Sequence, residues 1–249
     1  MITQYHRPKT LTEALTLIAQ PNTYPLGGGI MLNQFSNDEY AVVDLQTLAL
    51  GTIEKKGNML EIGATATLQD LLLCPDTPEA LKKAIQHEAS LNTRNIATVA
   101  GTLVASGGRS PFATMMMGLD AKLTLRNTNN EEENIQLGNF LPLREEMLSK
   151  KLMTGVSIPI NTKSAYEYVA RTPADKAIVC AALSQWTAGR TRLVLGGWGT
   201  SPSLAMDGKG AEGIEAAAKN AAHDATDQWA SAEYRQDVAA TLAKRCLAV

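Results

Sequence analysis

The chain has 249 residues, of which 45% are hydrophobic and 19% are charged, and its formal net charge is −2. This length can bury one large core or two smaller ones. A nearly neutral chain without runs of lysine and arginine has no general attraction for nucleic acid or for an anionic membrane. Nucleic-acid binding is therefore not expected.

The first residues of the chain and its cysteines indicate the cellular compartment. Residues 1–6 show no basic region followed by an apolar stretch, so no signal peptide is expected. The longest apolar runs fall far short of the ~20 residues that a membrane span needs. Cys74, Cys180 and Cys246 form no CxxC motif, which excludes an iron–sulfur motif and a disulfide framework. We expect a cytoplasmic protein with reduced thiols.

The first part of the chain predicts short helices and strands in alternation. Thr10 to Glu13 forms a capping box at the start of a helix, and Thr67 and the pair Thr77–Pro78 predict two further helix starts. Residues 41–45 and 59–63 are short β-rich segments. This pattern indicates a mixed α/β region.

The middle of the chain predicts a long loop followed by a buried helix. Residues 90–108 are polar, contain glycine and lack a helical period, and loops of this length are usually functional or disordered. Ser110 and Pro111 predict the N-cap and the first position of a helix. The predicted buried side of this helix consists of Phe112, Met115, Met116 and Leu119. Its adjacent methionines favour core packing over an adaptable binding surface.

The pattern changes near residue 160. Three β-like segments joined by short turns predict an antiparallel meander, and two alanine-rich stretches predict helices. The β-like segments are 165–171, 177–186 and 192–195, and the helical stretches lie near 213–222 and 230–248. A domain boundary near residue 160 follows from this change.

Side chains typical of catalysis are scarce. His6, His87 and His223 are far apart, and none has a second histidine or a cysteine at metal-ligand spacing. The chain contains no GxSxG elbow, no HExxH motif and no P-loop. We therefore predict no catalytic residue and no metal site in this chain.

Two glycine-rich segments carry the strongest functional signal. Gly27–Gly29 follows a predicted strand, and a segment without Cβ atoms can turn several N–H groups towards one anion. A flexible turn is the alternative interpretation, and the segment does not fit the Rossmann pattern GxGxxG. The second segment runs from Thr98 through Gly107 and Gly108 to a helix start, where Arg109 would add a charged contact. Two such segments suit a dinucleotide with a central pyrophosphate.

Several blocks of sequence occur in an order that points to one family. In chain order they are AVVDL at 41–45, LEIGATAT at 60–67, RNIATVAGT at 94–102, GLDA at 118–121, Arg171 with Asp175, Ala177 and Val179, LGGWGTSP at 195–202 and SAEYR at 231–235. Together they resemble the FAD-binding (medium) subunits of molybdenum hydroxylases, the xanthine and carbon monoxide dehydrogenase group. Each match is short, but the conserved order identifies the chain as a member of that family.

The resemblance implies an α+β fold. Residues 1–160 would form a two-lobed FAD-binding domain of the p-cresol-methylhydroxylase type, with lobes of about 1–55 and 56–160. Residues 161–249 would form a small domain with a three-stranded antiparallel sheet and helices. The resemblance also implies non-covalently bound FAD, an iron–sulfur small subunit and a molybdopterin large subunit, assembled as a dimer of heterotrimers. Electrons would pass from [2Fe–2S] clusters through FAD to an external acceptor; the substrate and the acceptor stay open.

The resemblance carries cofactor-binding positions onto this chain. The first loop comprises Leu26, Gly27, Gly28, Gly29, Ile30, Met31 and Leu32, around the FAD pyrophosphate. The second loop comprises Thr98, Val99, Ala100, Gly101 and Thr102, and Met153 and Thr154 match a position near the flavin ring. The glycine pattern itself adds the anion-binding candidates Gly107, Gly108, Arg109 and Ser110.

Some positions depart from the family pattern. Ile30 replaces a polar residue, Ala100 a glycine, Thr102 an asparagine, Pro111 an aspartate, and Glu167 with Tyr168 a lysine position. Each lost polar contact costs about 1–3 kcal/mol when its partner is left unpaired. The leading hypothesis is an FAD electron-transfer subunit. The alternative is a scaffold that has lost FAD. A free-standing oxidase with covalent FAD fits poorly, because neither glycine loop contains histidine or cysteine.

Overall fold

The computed structural model describes residues 1–32 and 38–248, which fold as two compact units. Unit 1 comprises Met1–Cys74, Leu91–Ala105 and Lys122–Ser157; unit 2 comprises Pro75–Ser90, Ser106–Ala121 and Ile158–Val249. The boundary predicted near residue 160 lies next to the start of the last segment of unit 2. Two earlier segments of the chain also belong to unit 2, which a linear division of the sequence does not reveal.

The protein is a mixture of short strands and helices. The strands are β1 (Ile2–His6), β2 (Thr23–Leu26), β3 (Tyr40–Asp44), β4 (Ile53–Lys56), β5 (Met59–Gly63), β6 (Lys122–Asn127), β7 (Glu132–Gln136), β8 (Lys151–Pro159), β9 (Thr162–Val169), β10 (Val179–Trp186), β11 (Arg190–Gly196) and β12 (Ser203–Lys209). The α-helices are α1 (Leu11–Ile18), α2 (Leu68–Leu73), α3 (Glu79–Glu88), α4 (Leu91–Arg94), α5 (Val99–Ala105), α6 (Pro111–Gly118), α7 (Leu137–Phe140), α8 (Arg144–Met147), α9 (Ile214–Ala221) and α10 (Ala232–Leu247). In the part of the chain that the structure describes, none of these helices has both the length and the apolar character to cross a membrane.

Unit 1 contains two sheets. In the part of unit 1 that the structure describes, the first sheet is parallel with strand order β1-β3-β2, and the second has the order β4-β5-β8-β6-β7. The buried side of α1 packs against the first sheet through Ala14, Leu15, Val43 and Leu45, together with Leu152 of β8. β2 is the last strand in the order of the parallel sheet, and Gly27–Gly29 follow its carboxyl end directly.

The predicted helix starts at Thr10, Thr67 and Ser110 are confirmed. In contrast, α3 begins at Glu79 with Pro78 as its N-cap and without a side-chain cap, one residue later than the pair Thr77–Pro78 predicts. Thr67 and Asp70 form a complete capping box, in which each side chain bonds the backbone N–H of the other residue. At the first helix only half of the box forms: Thr10 accepts the Glu13 amide at 3.2 Å, while the Glu13 carboxylate accepts the amide of Lys9 at 2.9 Å. Ser110 caps α6 with Pro111 at its first position. All eight residues of α6 are buried, more than the single buried side that the sequence predicts.

The prediction of one long loop at 90–108 is wrong. This segment forms the short helices α4 and α5, separated by a bridge between Thr67 and Thr98. The amides of Leu68 and Val99 donate to the carbonyls of Ala97 and Ala66 at 2.9 and 2.8 Å across this bridge. Helices of one or two turns are too short to show a hydrophobic period, so tertiary hydrogen bonds rather than local pattern define them.

Unit 2 is built on an antiparallel sheet with the order β12-β11-β10-β9. Within the described part of unit 2 this sheet has four strands, so the prediction of three missed β12. The residues of β10 alternate between two covered faces. Val179, Ala181 and Leu183 pack with α9 and α10, whereas Cys180 and Ala182 face α6. A strand that is covered on both faces reads as a continuous apolar run, as β10 does.

A buried arginine joins the last helix to the sheet. The guanidinium of Arg235 in α10 is fully buried and bonds both carboxylate oxygens of Asp227 at 2.9 Å. It also donates to the carbonyls of Ile178 at 3.2 Å and of Ala225. A buried guanidinium with these partners fixes the position of α10, because moving the helix would leave a charge unpaired.

Candidate functional site

The first glycine segment begins where the pairing of β2 ends. The last bond between β2 and β3 is donated by the Leu45 amide to the Leu26 carbonyl at 3.1 Å. Beyond it, among residues 1–32 and 38–248, the amides of Gly27, Gly28, Gly29 and Ile30 have no acceptor in the chain. Four consecutive free N–H groups after a strand form a concentrated set of donors for an anion.

Close packing requires the glycine at position 28 and leaves little room for a side chain at position 27. A Cβ on Gly28 would lie 1.8 Å from the Ile96 carbonyl oxygen, and a Cβ on Gly27 would lie 3.0 Å from Thr98 Oγ1. Of the three glycines, Gly29 has a positive φ, +73°. The segment is therefore held against residues 96–98, which argues against the interpretation as a simple flexible turn.

An open cleft of about 380 Å³ lies between these two segments of unit 1. Its size falls within the roughly 300–1,000 Å³ of small-molecule sites. The lining is neutral and consists of glycine, hydroxyl, amide and apolar residues: Gly27, Gly28, Gln46, Thr65, Thr67, Asn95, Ile96 and Thr98. The site list derived from the sequence omitted Gln46, Thr65, Thr67, Asn95 and Ile96. The blocks LEIGATAT and RNIATVAGT, which contain all of these except Gln46, were the signal for them.

Four amides of the second predicted loop, those of residues 99–102, are already occupied. Those of Val99 and Ala100 donate to the carbonyls of Ala66 and Ala64 at 2.8 and 3.2 Å. Those of Gly101 and Thr102 donate to Thr98, at 3.2 Å to its side-chain oxygen and at 2.9 Å to its carbonyl. The segment therefore supports the cleft through the buried Thr98, while the first segment carries the free N–H groups.

The other positions predicted in unit 1 differ in exposure. Ile30 and Met31 are exposed, and Leu26 and Leu32 are half-buried. Met153 and Thr154 are buried in β8, where the Thr154 hydroxyl donates to the Thr124 carbonyl at 3.3 Å. Their predicted place near a flavin ring stays a prediction.

The remaining predicted group, residues 107–110, belongs to unit 2, where donors of Gly108, Arg109 and Ser110 have partners. The amide of Gly108 donates to the Gly199 carbonyl at 3.1 Å, and Arg109 donates to the carbonyls of Lys176 and Ala177 at 2.9 and 3.1 Å. The hydroxyl of Ser110 donates to the Glu88 carboxylate at 2.7 Å. That carboxylate also accepts the amide of Phe112, so an internal anion occupies the N-terminus of α6.

Burial and hydrogen bonds also govern titration in unit 2. Burial raises the pKa of the Cys180 thiol to about 11 and lowers the pKa of His87. A hydrogen bond from Arg190 holds the pKa of Asp207 below its usual value. Among the described residues no group of three or more histidine, cysteine, aspartate or glutamate side chains is placed to hold a metal ion.

Comparison with known proteins identifies the family of the segment that contains the cleft. The family model for the FAD-binding domain in molybdopterin dehydrogenase matches residues 1–161, which include every residue that lines it. The chain belongs to this family. The resemblance seen in the sequence is thereby confirmed.

Relatives of the family extend the comparison beyond this domain. The carbon monoxide dehydrogenase medium chain of Hydrogenophaga pseudoflava is 24% identical over 205 residues, which are 76% of this chain and 70% of that protein. An uncharacterized Escherichia coli K12 protein, YgfM, is 27% identical over 201 residues, covering 79% of this chain and 75% of its own. A chain of the solved Cu,Mo-CO dehydrogenase structure superimposes with a TM-score of 0.82 at 21% identity, over all of this chain and 97% of that one. This similarity supports the mixed α/β fold over the whole length.

Proposed function

We propose that this chain is the FAD-binding subunit of a molybdopterin-dependent oxidoreductase. It would bind FAD without a covalent bond and pass electrons from the [2Fe–2S] clusters of a small subunit to an external acceptor. A large subunit would hold molybdopterin and the substrate, in a cytoplasmic dimer of heterotrimers. The relatives named carbon monoxide dehydrogenase and nicotinate dehydrogenase FAD-subunit support this assignment, because they are parts of oxidoreductases.

The observation that carries the proposal is the run of free amides from Gly27 to Ile30 beside the cleft. Backbone N–H groups stabilise a pyrophosphate without a cation, and the neutral cleft lining agrees with this mode of binding. These donors come from the backbone, so the replacement of a polar side chain by Ile30 does not remove them. The occupied amides of residues 99–102 concentrate the anion contact in the first segment.

FAD, when bound, would supply the electron chemistry, and the residues of this chain would fix its position. The close contact of Gly28 with the Ile96 carbonyl sets the separation of the two segments, and thus the width of the cleft. Thr98 maintains this arrangement, since its side-chain oxygen accepts the Gly101 amide at 3.2 Å beside Gly27. No proton transfer is assigned to a residue of this chain.

The first experiment is to co-express the chain with its neighbouring subunits and to measure the FAD released per chain on denaturation. About one FAD per chain is expected. An intact complex that contains iron and molybdenum but no FAD would refute the proposal, and would favour the scaffold alternative.

A charge variant tests the location of the site. Gln46→Glu replaces a neutral side chain that lines the cleft with a negatively charged one of nearly the same shape. The substitution should weaken FAD binding by about 1–2 kcal/mol, roughly five- to thirtyfold. Gln86→Glu is the matched control, because Gln86 is an exposed residue of α3 in unit 2. Equal FAD affinity of the two variants would contradict the assignment of the cleft.

A further inference from the structure

An exposed tryptophan of unit 2 carries two guanidinium groups over its ring. The Cζ atoms of Arg109 and Arg171 lie 4.6 and 4.7 Å from the ring centroid of Trp229. Both distances are typical of cation–π contacts, in which the face of the ring attracts a cation. Trp229 is nevertheless 38% exposed, although a side chain of this size is usually well buried. These three residues, all in unit 2, form the Arg–Trp patch.

Hydrogen bonds hold the Arg–Trp patch in one arrangement. The Asp227 carboxylate accepts the amides of Trp229 and Ala230 at 2.8 and 3.2 Å. The fully buried Arg235 fixes the same carboxylate through two hydrogen bonds. Arg109 donates to two carbonyls of the segment that precedes β10. A surface that is ordered in this way loses little conformational entropy when a ligand binds to it.

Several donors of the Arg–Trp patch have no hydrogen-bond acceptor in the part of the chain that the structure describes. They are Nη1 of Arg109, both terminal nitrogens of Arg171 and the indole N–H of Trp229. Nε of Arg171 lies 3.5 Å from the Asp175 carboxylate, and an exposed ion pair of this kind contributes little. A ligand that fits this set of donors must therefore supply acceptors.

Positive charge exceeds negative charge at the Arg–Trp patch. Arg109 and Arg171 each contribute one positive charge, and Lys176, whose carbonyl accepts from Arg109, adds another. Against these charges stands the carboxylate of Asp175, because that of Asp227 is paired with a buried arginine. Burial lowers the pKa of Arg109, and the positive charges of two neighbouring arginines lower this pKa further. The electrostatic complement of the patch is an anion.

We propose that the Arg–Trp patch is a docking surface for an acidic segment of a partner protein, whose carboxylates bond the free nitrogens of Arg109 and Arg171 beside Trp229. The planar guanidinium matches a carboxylate in two parallel hydrogen bonds. Tryptophan and arginine are also enriched at the energetic centres of protein interfaces. The formal net charge of −2 gives the chain no general attraction for nucleic acid or an anionic membrane, which favours a protein as the partner. This interaction does not require FAD.

The test measures binding of acetylated hexaglutamate to the full chain at low salt. Calorimetry should give a dissociation constant of about 1 mM or lower, and hexalysine should not bind. Tryptophan emission should shift with the same saturation, because a carboxylate on the two arginines changes the surroundings of the Trp229 ring. Trp229→Phe, which leaves Trp186 and Trp198 as reporters, should abolish the shift. Absence of hexaglutamate binding in the calorimeter would overturn the proposal.

A pair of charge reversals tests the location of the docking surface. Arg171→Glu should weaken hexaglutamate binding by about tenfold, because it replaces an attractive contact with a repulsive one. Arg245→Glu is the matched control, since Arg245 is an exposed residue of α10 in the same unit and the chain changes its charge equally. This control should bind like the parent. Equal weakening in both variants would contradict the proposal, because net charge would then attract the peptide.

Two other probes distinguish an acidic peptide from other anions. Inorganic phosphate and vesicles that contain phosphatidylserine should each bind more weakly than hexaglutamate, because neither presents a row of carboxylates on a peptide. Phosphate binding with the affinity of hexaglutamate would show a site for small anions. Vesicle binding that is stronger than peptide binding and is lost in Arg171→Glu would show a membrane surface. Either of these results would overturn the proposal.

Discussion

The substitution Gly28→Ala tests the geometry of the cleft most directly. The added Cβ would lie 1.8 Å from the Ile96 carbonyl oxygen and 2.8 Å from its carbon, although real contacts are at least 3.0 Å. The two segments must therefore separate by about 1.2 Å, or the backbone of one must distort. Overpacking of this kind costs typically 1–3 kcal/mol.

Gly28→Ala should lower both the stability of the protein and its affinity for FAD. For a protein of this size, a loss of about 2 kcal/mol lowers the midpoint of thermal unfolding by about 4–8 °C. FAD affinity should fall at least about tenfold, since the free amides of the first segment move relative to Thr98. The assays are thermal unfolding, and titration of the FAD-free complex by flavin fluorescence.

Gly208→Ala is the matched control. Gly208 lies in β12 of unit 2, has no atom within 4 Å of an added Cβ and does not have a positive φ. Gly208→Ala should leave FAD affinity unchanged and should change the free energy of unfolding by no more than about 0.5 kcal/mol. If Gly28→Ala behaves like this control in both assays, the close approach of the two segments does not define the site.

Four other substitutions test individual hydrogen-bond networks of the two units. Thr67→Ala should lower the free energy of unfolding in urea by about 1 kcal/mol, because it removes a complete capping box. Thr10→Ala should lower it by less, because only half of the box forms there. The reverse order would contradict the assignment of these caps. Arg235→Met should destabilise by about 3–5 kcal/mol in the same assay, because it removes the buried cation that pairs with Asp227 and donates to the carbonyls of Ile178 and Ala225. A loss below about 1 kcal/mol would show that this network is unimportant. The pKa of Asp207 is lowered by the hydrogen bond from Arg190, so its stabilising effect is complete above about pH 4 and disappears as the pH falls through the lower pKa of the folded state. Asp207→Asn should therefore flatten the loss of stability between about pH 5 and pH 2. If chemical unfolding shows that Asp207→Asn and the parent lose the same stability between these pH values, this prediction is wrong.

Local hydrogen bonding made several elements predictable. Thr67 and Asp70, three residues apart, satisfy each other within one helical turn. Ser110 starts α6 by accepting the amide of Ala113 at 3.1 Å, with Pro111 at the first helical position, and Ser231 caps α10 close to the predicted start. The first glycine segment was also correctly located beside a strand end. These features depend on neighbours in sequence, so the sequence contains most of their information.

Long-range contacts decided the remainder of the fold. β12 contains the pair Asp207–Gly208, which is typical of a turn, yet Asp207 pairs with Arg190 and Arg192 across the sheet. The segments that contain α3 and α6 belong to unit 2, although they precede residue 160. Neither result follows from local propensity, because the partners are distant in sequence.

The candidate site shows the same division. Sequence alone determined the family, the order of its blocks and the two glycine segments that an anion would require. Tertiary structure decided which of their amides are free: those of Val99 and Ala100 are taken by carbonyls more than thirty residues away, while those from Gly27 to Ile30 have no acceptor within the described ranges 1–32 and 38–248. The physical reason is that a backbone amide donates to whichever acceptor the fold brings near it, and the acceptor's position is a property of the whole chain.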